Sequence, residues 1–492
     1  MAFDLVIKAA RVLDGTGGGE LDADVAIEGD RIARIGSALS GQRELVAEGM
    51  MLAPGFVDVH AHDDAALLRY PDMAFKLGQG CTSVVVGNCG FCLAPFENGA
   101  TEPPGNAGLF MGVRPSADFR EYFAAIEAAR PGVNVKALVG HNAVRSLVCG
   151  NEERSATGDE RRRMREHVER ALEQGACGFS TGLIYRPGRA SDSEEIVDVA
   201  TPLRAQGAIY TTHLRSEGER LLEAVEEAIT IGSHVGCAVQ ISHHKASGRR
   251  NWGRVEASQA RIDRANDEGG DVAFDVYPYT AGSGPMVEYF DPERVDLELA
   301  AVTRIASCPP FPELEGRMLS HIAAERGQEA GELVRAVLGA PGGHRTLCIT
   351  FTMNEDDVVR NIVHPRAMIG SDGLPDFDGK PHPRLFGTFP RVLGEYARRR
   401  GLLSMAEAVR KMTRLPSMRF GLRERGLVAE GCFADLVLFD PESVDSGASF
   451  DDPKQRAVGI HSVFVNGSLA YRSGQPSELR TGRVLRHAAV GA

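Results

Sequence analysis

Eight short apolar runs divide the middle of the chain, at 56–60, 82–88, 134–140, 177–181, 208–213, 237–243, 271–277 and 366–371. Amphipathic stretches of helical period separate most of them, among them 159–176, 218–232 and 254–269. A strand covered on both faces reads as a continuous apolar run, which is how parallel strands beneath helices read. Strand then helix, eight times over, predicts an α/β chain closed into a (β/α)8, TIM-like barrel. Ser404 with Glu407 reads as a capping box at the start of the last barrel helix.

Two regions break the repeat. The interval from 284 to 365 is too long for one connection and reads as an inserted lid or subdomain between barrel strands seven and eight. The first 50 residues look like strands and hairpins, and 434–440 and 461–467 are also β-rich. Neither end has enough strands to bury a core alone, so the two are expected to pair into one small β-sandwich domain. The division expected is 1–54 and 422–492 for that domain and 55–421 for the barrel.

The remaining composition excludes more than it selects. Hydrophobic residues at 43% and charged residues at 25% suit a folded globular enzyme. A net charge of −12 without a Lys/Arg tract argues against a nucleic-acid partner. No run approaches the ~20 apolar residues of a membrane span, and the N-terminus lacks the pattern of a signal peptide. Nine widely spaced cysteines suit reduced thiols in a cytoplasm better than a disulfide framework. No sequence feature bears on oligomeric state.

In such a barrel the chemistry sits at the C-terminal ends of the strands. Five runs end in metal-ligand types: His60-Ala61-His62, Asn88-Cys89, His213, His243-His244 and Ser371-Asp372. Side chains two apart on a strand share a face, so His60 and His62 can bind one ion. Cys89 caps a strand at the rim, where a thiolate is a good zinc ligand and can bridge two ions. Cys81, Cys92, Cys149, Cys177 and Cys237 read instead as small buried hydrophobes. His243 shares parity with Val239 and Ile241, the bulky residues expected inside the barrel, so it is the inward member of its pair and His244 packs against helices. His141 ends the third run as a weaker rim candidate. Asp372 can bind metal and take a proton from metal-bound water. No G-x-S-x-G elbow supports a serine nucleophile.

At these residues the chain resembles the amidohydrolase superfamily, and within it the N-acyl-D-amino-acid deacylase (D-aminoacylase) family. APGFVDVHAH (53–62) and GSDG (370–373) carry the broader likeness. VVVGNCG (84–90), THLRSEG (212–218), QISHHK (240–245), DVYPYTAGS (275–283) and HPRLFGTFPRVLG (382–394) carry the narrower one. Many binuclear amidohydrolases bridge their metals with a carboxylated lysine ending strand four, and GFSTGLIYRPG (178–188) has no lysine. The D-aminoacylase-like enzymes use a strand-two cysteine instead, which Cys89 matches.

The resemblance implies a tight zinc site of Cys89, His213 and His243, and a second, weaker one of His60, His62 and Asp372 sharing Cys89. It implies hydrolysis of N-acyl-D-amino acids to a carboxylate and a free D-amino acid, with Asp372 as the base. It also places Lys245 and Arg384 on the substrate α-carboxylate, with Tyr277 and Ser283 hydrogen-bonding nearby. D-stereochemistry rests on the family alone. A neutral, apolar substrate side chain is expected, with Met286 and Phe290 as an apolar wall, while Arg249, Arg250 and Arg294 support an acidic one. The competing functions are a D-glutamate- or D-aspartate-specific deacylase, a cyclic amidase of the dihydropyrimidinase or dihydroorotase type, and a scaffold that has lost its metal.

Overall fold

The computed structural model describes residues 2–97 and 109–488. A strand occupies each apolar run: Phe56–Asp58, Cys81–Val86, Asn134–Ala137 continuing as Val139–Gly140, Gly178–Gly182, Ile209–His213, Val239–Ile241, Val272–Val276 and Ala367–Ile369. All their ladders are parallel and follow chain order from the first strand to the eighth. The third strand serves two neighbours, pairing with the second through 134–137 and with the fourth through 139–140.

The eighth strand returns to the first and closes a ring, but not by a ladder. One bridge joins Ala61 to Gly373, and the Asp372 N–H donates to the His60 carbonyl at 2.7 Å. The rest of the seam is side chain. Ser371 donates to Asp58 from its N–H and its hydroxyl, at 2.8 and 2.6 Å. Fully buried Lys76 donates to Asp58 Oδ2 at 2.6 Å and to Ser371 Oγ at 3.0 Å. Gly370 permits the approach, since a Cβ there would lie 2.6 Å from that of His60.

Inside the ring, away from the mouth, Val57, Val85, Leu138, Ile209, Ala273 and Met368 pack with Phe420 and Leu422. Outside, helices cover the strands. Gly158–Glu173 opens with a complete capping box between Thr157 and Glu160. Ser404 accepts from the Glu407 N–H at 3.0 Å, but the Glu407 carboxylate turns to Arg410, so the box expected there is half made.

The stretch between strands seven and eight builds its own antiparallel sheet of Gly282–Pro285, Leu347–Thr350 and Thr303–Ser307, over a core that includes Ile305, Leu319 and Leu333. Helix Glu355–Val363, placed in this insertion by the sequence, belongs to the ring. Its Val358 and Ile362 are apolar at helical spacing and join the main core beside the seventh and eighth strands.

Strands from both ends of the chain form one continuous sheet of nine, in which Met51–Pro54 pairs with Leu5–Val12 and with Leu436–Phe439. Arg31–Gly36 meets 431–434 through the bridge Arg31–Phe433, so the sheet curls around Ile7, Val25, Ile27, Leu436 and Leu438. A single curled sheet therefore replaces the expected sandwich, because Met51–Pro54 stitches the two arms edge to edge. The tail leaves it again, and Leu485 donates its N–H to Val135 under the ring. Among the described residues no helix is long and apolar enough to cross a membrane.

Candidate metal centre

The mouth of the ring gathers the residues at the ends of strands one, two, five, six and eight. The donor atoms of Cys89, His213 and His243 lie within 4.8 Å of one another, as do those of His60, His62 and Cys89, and those of His60, His243 and Asp372. Cys89 Sγ is 3.3 Å from His60 Nε2 and 3.5 Å from His243 Nε2. The His213 and His243 rings stand 4.4 Å apart, and both His213 nitrogens are buried without a hydrogen-bond partner. All six residues are buried.

Three of the six hold unusual backbone. Cys89, His243 and Asp372 have φ of 54°, 35° and 48°, a left-handed region that costs a non-glycine residue about 1–3 kcal/mol. Each sits just past a strand end, and the turn swings its side chain back over the mouth. For His243 this corrects the parity argument. Val239 and Ile241 face the helices, Val239 against Gly232, while Gln240 points inward to Asp275 at 3.0 Å. The break at 242–243, not strand alternation, brings His243 inside. His244 hydrogen-bonds Asn361 at 2.8 Å and Ser258 at 2.6 Å on two outer helices. His141 pairs with Glu195 at 3.0 Å, away from the cluster.

Two carboxylates orient the imidazoles. Asp275 Oδ1 lies 3.1 Å from His60 Nδ1 and accepts the His243 N–H at 2.8 Å. Glu217 Oε1 lies 2.9 Å from His243 Nδ1. Such carboxylates fix which ring nitrogen faces a metal and raise its basicity. Neither was singled out from the sequence. The signal for Asp275 was an acid inside an otherwise apolar run, a residue type almost never fully buried unpaired. Glu217 stood inside THLRSEG without marking itself.

The electrostatics are those of a cation site. Burial pushes the Cys89 thiol up, but His60 and His243 hold it well below its ordinary value. Burial opposes charge on the imidazoles, yet Cys89, Asp275 and Asp372 raise His60 well above its ordinary value, and Asp372 and Cys89 raise His62 to about 9. Burial would keep Asp372 neutral, but Arg384, His243 and His60 hold it well below the usual carboxylate range. A thiolate, converging imidazoles and unpartnered nitrogens on His213 fit a divalent metal with nitrogen and sulfur preference.

The cavity over this cluster is lined by Lys245, Tyr277 and Ser283 among others. Lys245 Nζ donates to Glu217 at 2.5 Å and lies 2.8 Å from His243 Nδ1, the nitrogen that faces the same carboxylate oxygen. Arg384 approaches from behind. Its Nη1 lies 2.8 Å from Asp372 Oδ2, its Nη2 donates to the Ser283 carbonyl at 3.1 Å, and its guanidinium stands 4.6 Å from the Tyr277 ring. Its Nε is buried without a partner. Met286 and Phe290 do not line the cavity. They are spaced i, i+4 along a short helix and face the insertion core. Arg249, Arg250 and Arg294 are exposed and away from it.

A family model described as an amidohydrolase family matches residues 46–471. A D-aminoacylase from Alcaligenes xylosoxydans xylosoxydans is 43% identical over 99% of this chain and 98% of its own length. An N-acyl-D-glutamate deacylase from the same organism is also 43% identical, over 98% of this chain and 96% of its own. The solved N-acyl-D-glutamate deacylase from Bordetella bronchiseptica, in complex with zinc and a phosphonate mimic of the tetrahedral intermediate, is 40% identical and superposes with a TM-score of 0.91 over 99% of this chain and all of that one.

Proposed function

The chain belongs to the amidohydrolase family, and from that premise we propose that it hydrolyses the amide bond of N-acyl-D-amino acids with zinc in a (β/α)8 barrel. The observation that carries the reading is the meeting of Cys89 Sγ with the nitrogens of His213 and His243 at the mouth of the ring. The fourth strand, Gly178–Gly182, contributes no lysine there, which separates the site from lysine-bridged cyclic amidases. Two relatives at 43% identity over nearly the whole length of the chain are a D-aminoacylase and an N-acyl-D-glutamate deacylase, and the D-preference rests on them. A cytoplasmic location agrees with the free state of all nine cysteines.

Cys89, His213 and His243 would hold zinc tightly, and His60, His62 and Asp372, together with Cys89, would hold a second ion more weakly. Bound there, zinc supplies Lewis acidity, which makes water a usable nucleophile near pH 7 and polarises a carbonyl. The chain's own residues do the rest. Asp275 and Glu217 fix the imidazoles through their Nδ1 atoms. Asp372, kept ionised by Arg384 beside it, takes the proton from the attacking water. As the C–N bond breaks, Asp372 gives that proton to the leaving nitrogen, and the second proton of the water passes from the new carboxyl group to the released amine, so the products are a carboxylate and an ammonium. Lys245 and Arg384 bind the α-carboxylate, with Tyr277 and Ser283 hydrogen-bonding beside it.

Purified protein should retain zinc after dialysis and should hydrolyse N-acetyl-D-methionine in preference to its L enantiomer, hydantoin and dihydroorotate. Turnover confined to the cyclic substrates would replace this reading. Arg384→Ala should lower kcat/KM roughly 10- to 150-fold, the worth of a charge-assisted hydrogen bond, with the loss mainly in KM. A loss confined to kcat would make Arg384 a positioning residue for Asp372 instead.

A further inference from the structure

The chemistry above leaves one charged side chain of the cavity unused. Glu288 lies on the short helix Met286–Tyr289 of the insertion. The neighbours that turn into the insertion core are Met286 and Phe290, and Glu288 lines the cavity with Ser283, Tyr289, Thr350 and Ile184. No ion pair satisfies it among the described residues. Arg189 and Arg186 act on it from nearby, but both guanidinium groups go to Glu153, at 2.6 and 2.7 Å. Burial outweighs them and pushes the Glu288 carboxyl up to about 7.

The cavity offers little to an acidic ligand beyond the α-carboxylate subsite. Among the described residues its lining contains one lysine or arginine, Lys245, already held by Glu217. Glu288 is half-buried and accepts the Arg186 backbone N–H, but it has no counter-ion of its own, and an entering cation with hydrogen-bond donors supplies one. An entering carboxylate would instead add a like charge.

We propose that Glu288 makes the side-chain end of the cavity a subsite for cationic side chains, so that the preferred substrates are N-acyl derivatives of D-lysine, D-ornithine or D-arginine and acidic ones are turned away. The proposal rests on the deacylase reading above and deepens it, and the test keeps the two apart. It measures kcat/KM of the zinc-loaded enzyme for N-acetyl-D-lysine, for N-acetyl-D-norleucine, which lacks the charge, and for N-acetyl-D-glutamate. Wild type should favour lysine over norleucine by roughly tenfold or more. Glu288→Gln should remove that ratio, and Glu288→Lys should reverse the order of lysine and glutamate. Ratios within one variant do not depend on the fraction of protein that folds. A wild-type preference for norleucine or glutamate over lysine, or an unchanged lysine-to-norleucine ratio in Glu288→Gln, overturns the subsite. Failure of wild type on every D substrate overturns the deacylase reading beneath it.

Discussion

Cys89→Ala should lose zinc and activity together. Cys89 is the proposed thiolate ligand, its Sγ 3.5 Å from His243 Nε2 and 3.3 Å from His60 Nε2. Without it, His213 and His243 remain as two neutral imidazoles, far short of a closed zinc shell. Loss of an outer-shell partner alone costs about 10- to 100-fold in metal affinity, so loss of the anionic ligand should exceed that range. Stabilisation by metal, about 2.7 kcal/mol when zinc stands at about 100 times its Kd, should vanish, and the Tm should no longer respond to added zinc. Backbone strain offers another explanation, since residue 89 has a φ of 54°. Cys89→Gly separates the two, because glycine adopts that conformation freely and should lose zinc equally. Cys177→Ala is the matched control, a buried thiol beneath the ring that burial pushes up to about 11, and it should keep its metal. Full zinc and full activity in Cys89→Ala would remove the thiolate from the site.

Asp372→Asn should keep zinc and lose turnover. The amide cannot take a proton from water, and loss of a general base costs about 10²- to 10⁴-fold in kcat. Cys89, His213 and His243 are untouched, so metal content after dialysis should match wild type. The same change strips the charge from the partner of buried Arg384, 2.8 Å away. Breaking such a pair costs on the order of 3 kcal/mol, so stability should fall and kcat must be read well below the new Tm. A near-normal kcat would assign the base to another group.

Much of the frame was legible in the sequence for one physical reason. Parallel strands covered on both faces leave unbroken apolar runs, and the residues that gather at the mouth stand just after those runs because the rim is where strands end. Less visible was anything set by a break in regular geometry. Parity selected His243 correctly for a wrong reason, since Val239 and Ile241 face outward and a left-handed residue does the turning. Met286 and Phe290 were apolar and near Ser283 in sequence, but their i, i+4 spacing marked the face turned to the insertion core. Glu288, between them, faces the cavity. The β domain misled in detail because hydropathy shows that two arms are strands without showing which edge each one joins.

The joint between the eighth strand and the first gives the molecule a preferred place to fail. Seven joints of the ring are backbone ladders, whereas this one depends on a single bridge and on Ser371, Asp58 and Lys76. Asp372 lies one residue beyond it and bonds back to the His60 carbonyl. On warming, the first excursion from the native state should be a local parting of these two strands rather than cooperative melting. Amide exchange should therefore be fastest around 371–373 among the rim segments. Catalysis should decay at temperatures where Cys89, His213 and His243 still retain their metal and the outer helices still give a native circular dichroism spectrum.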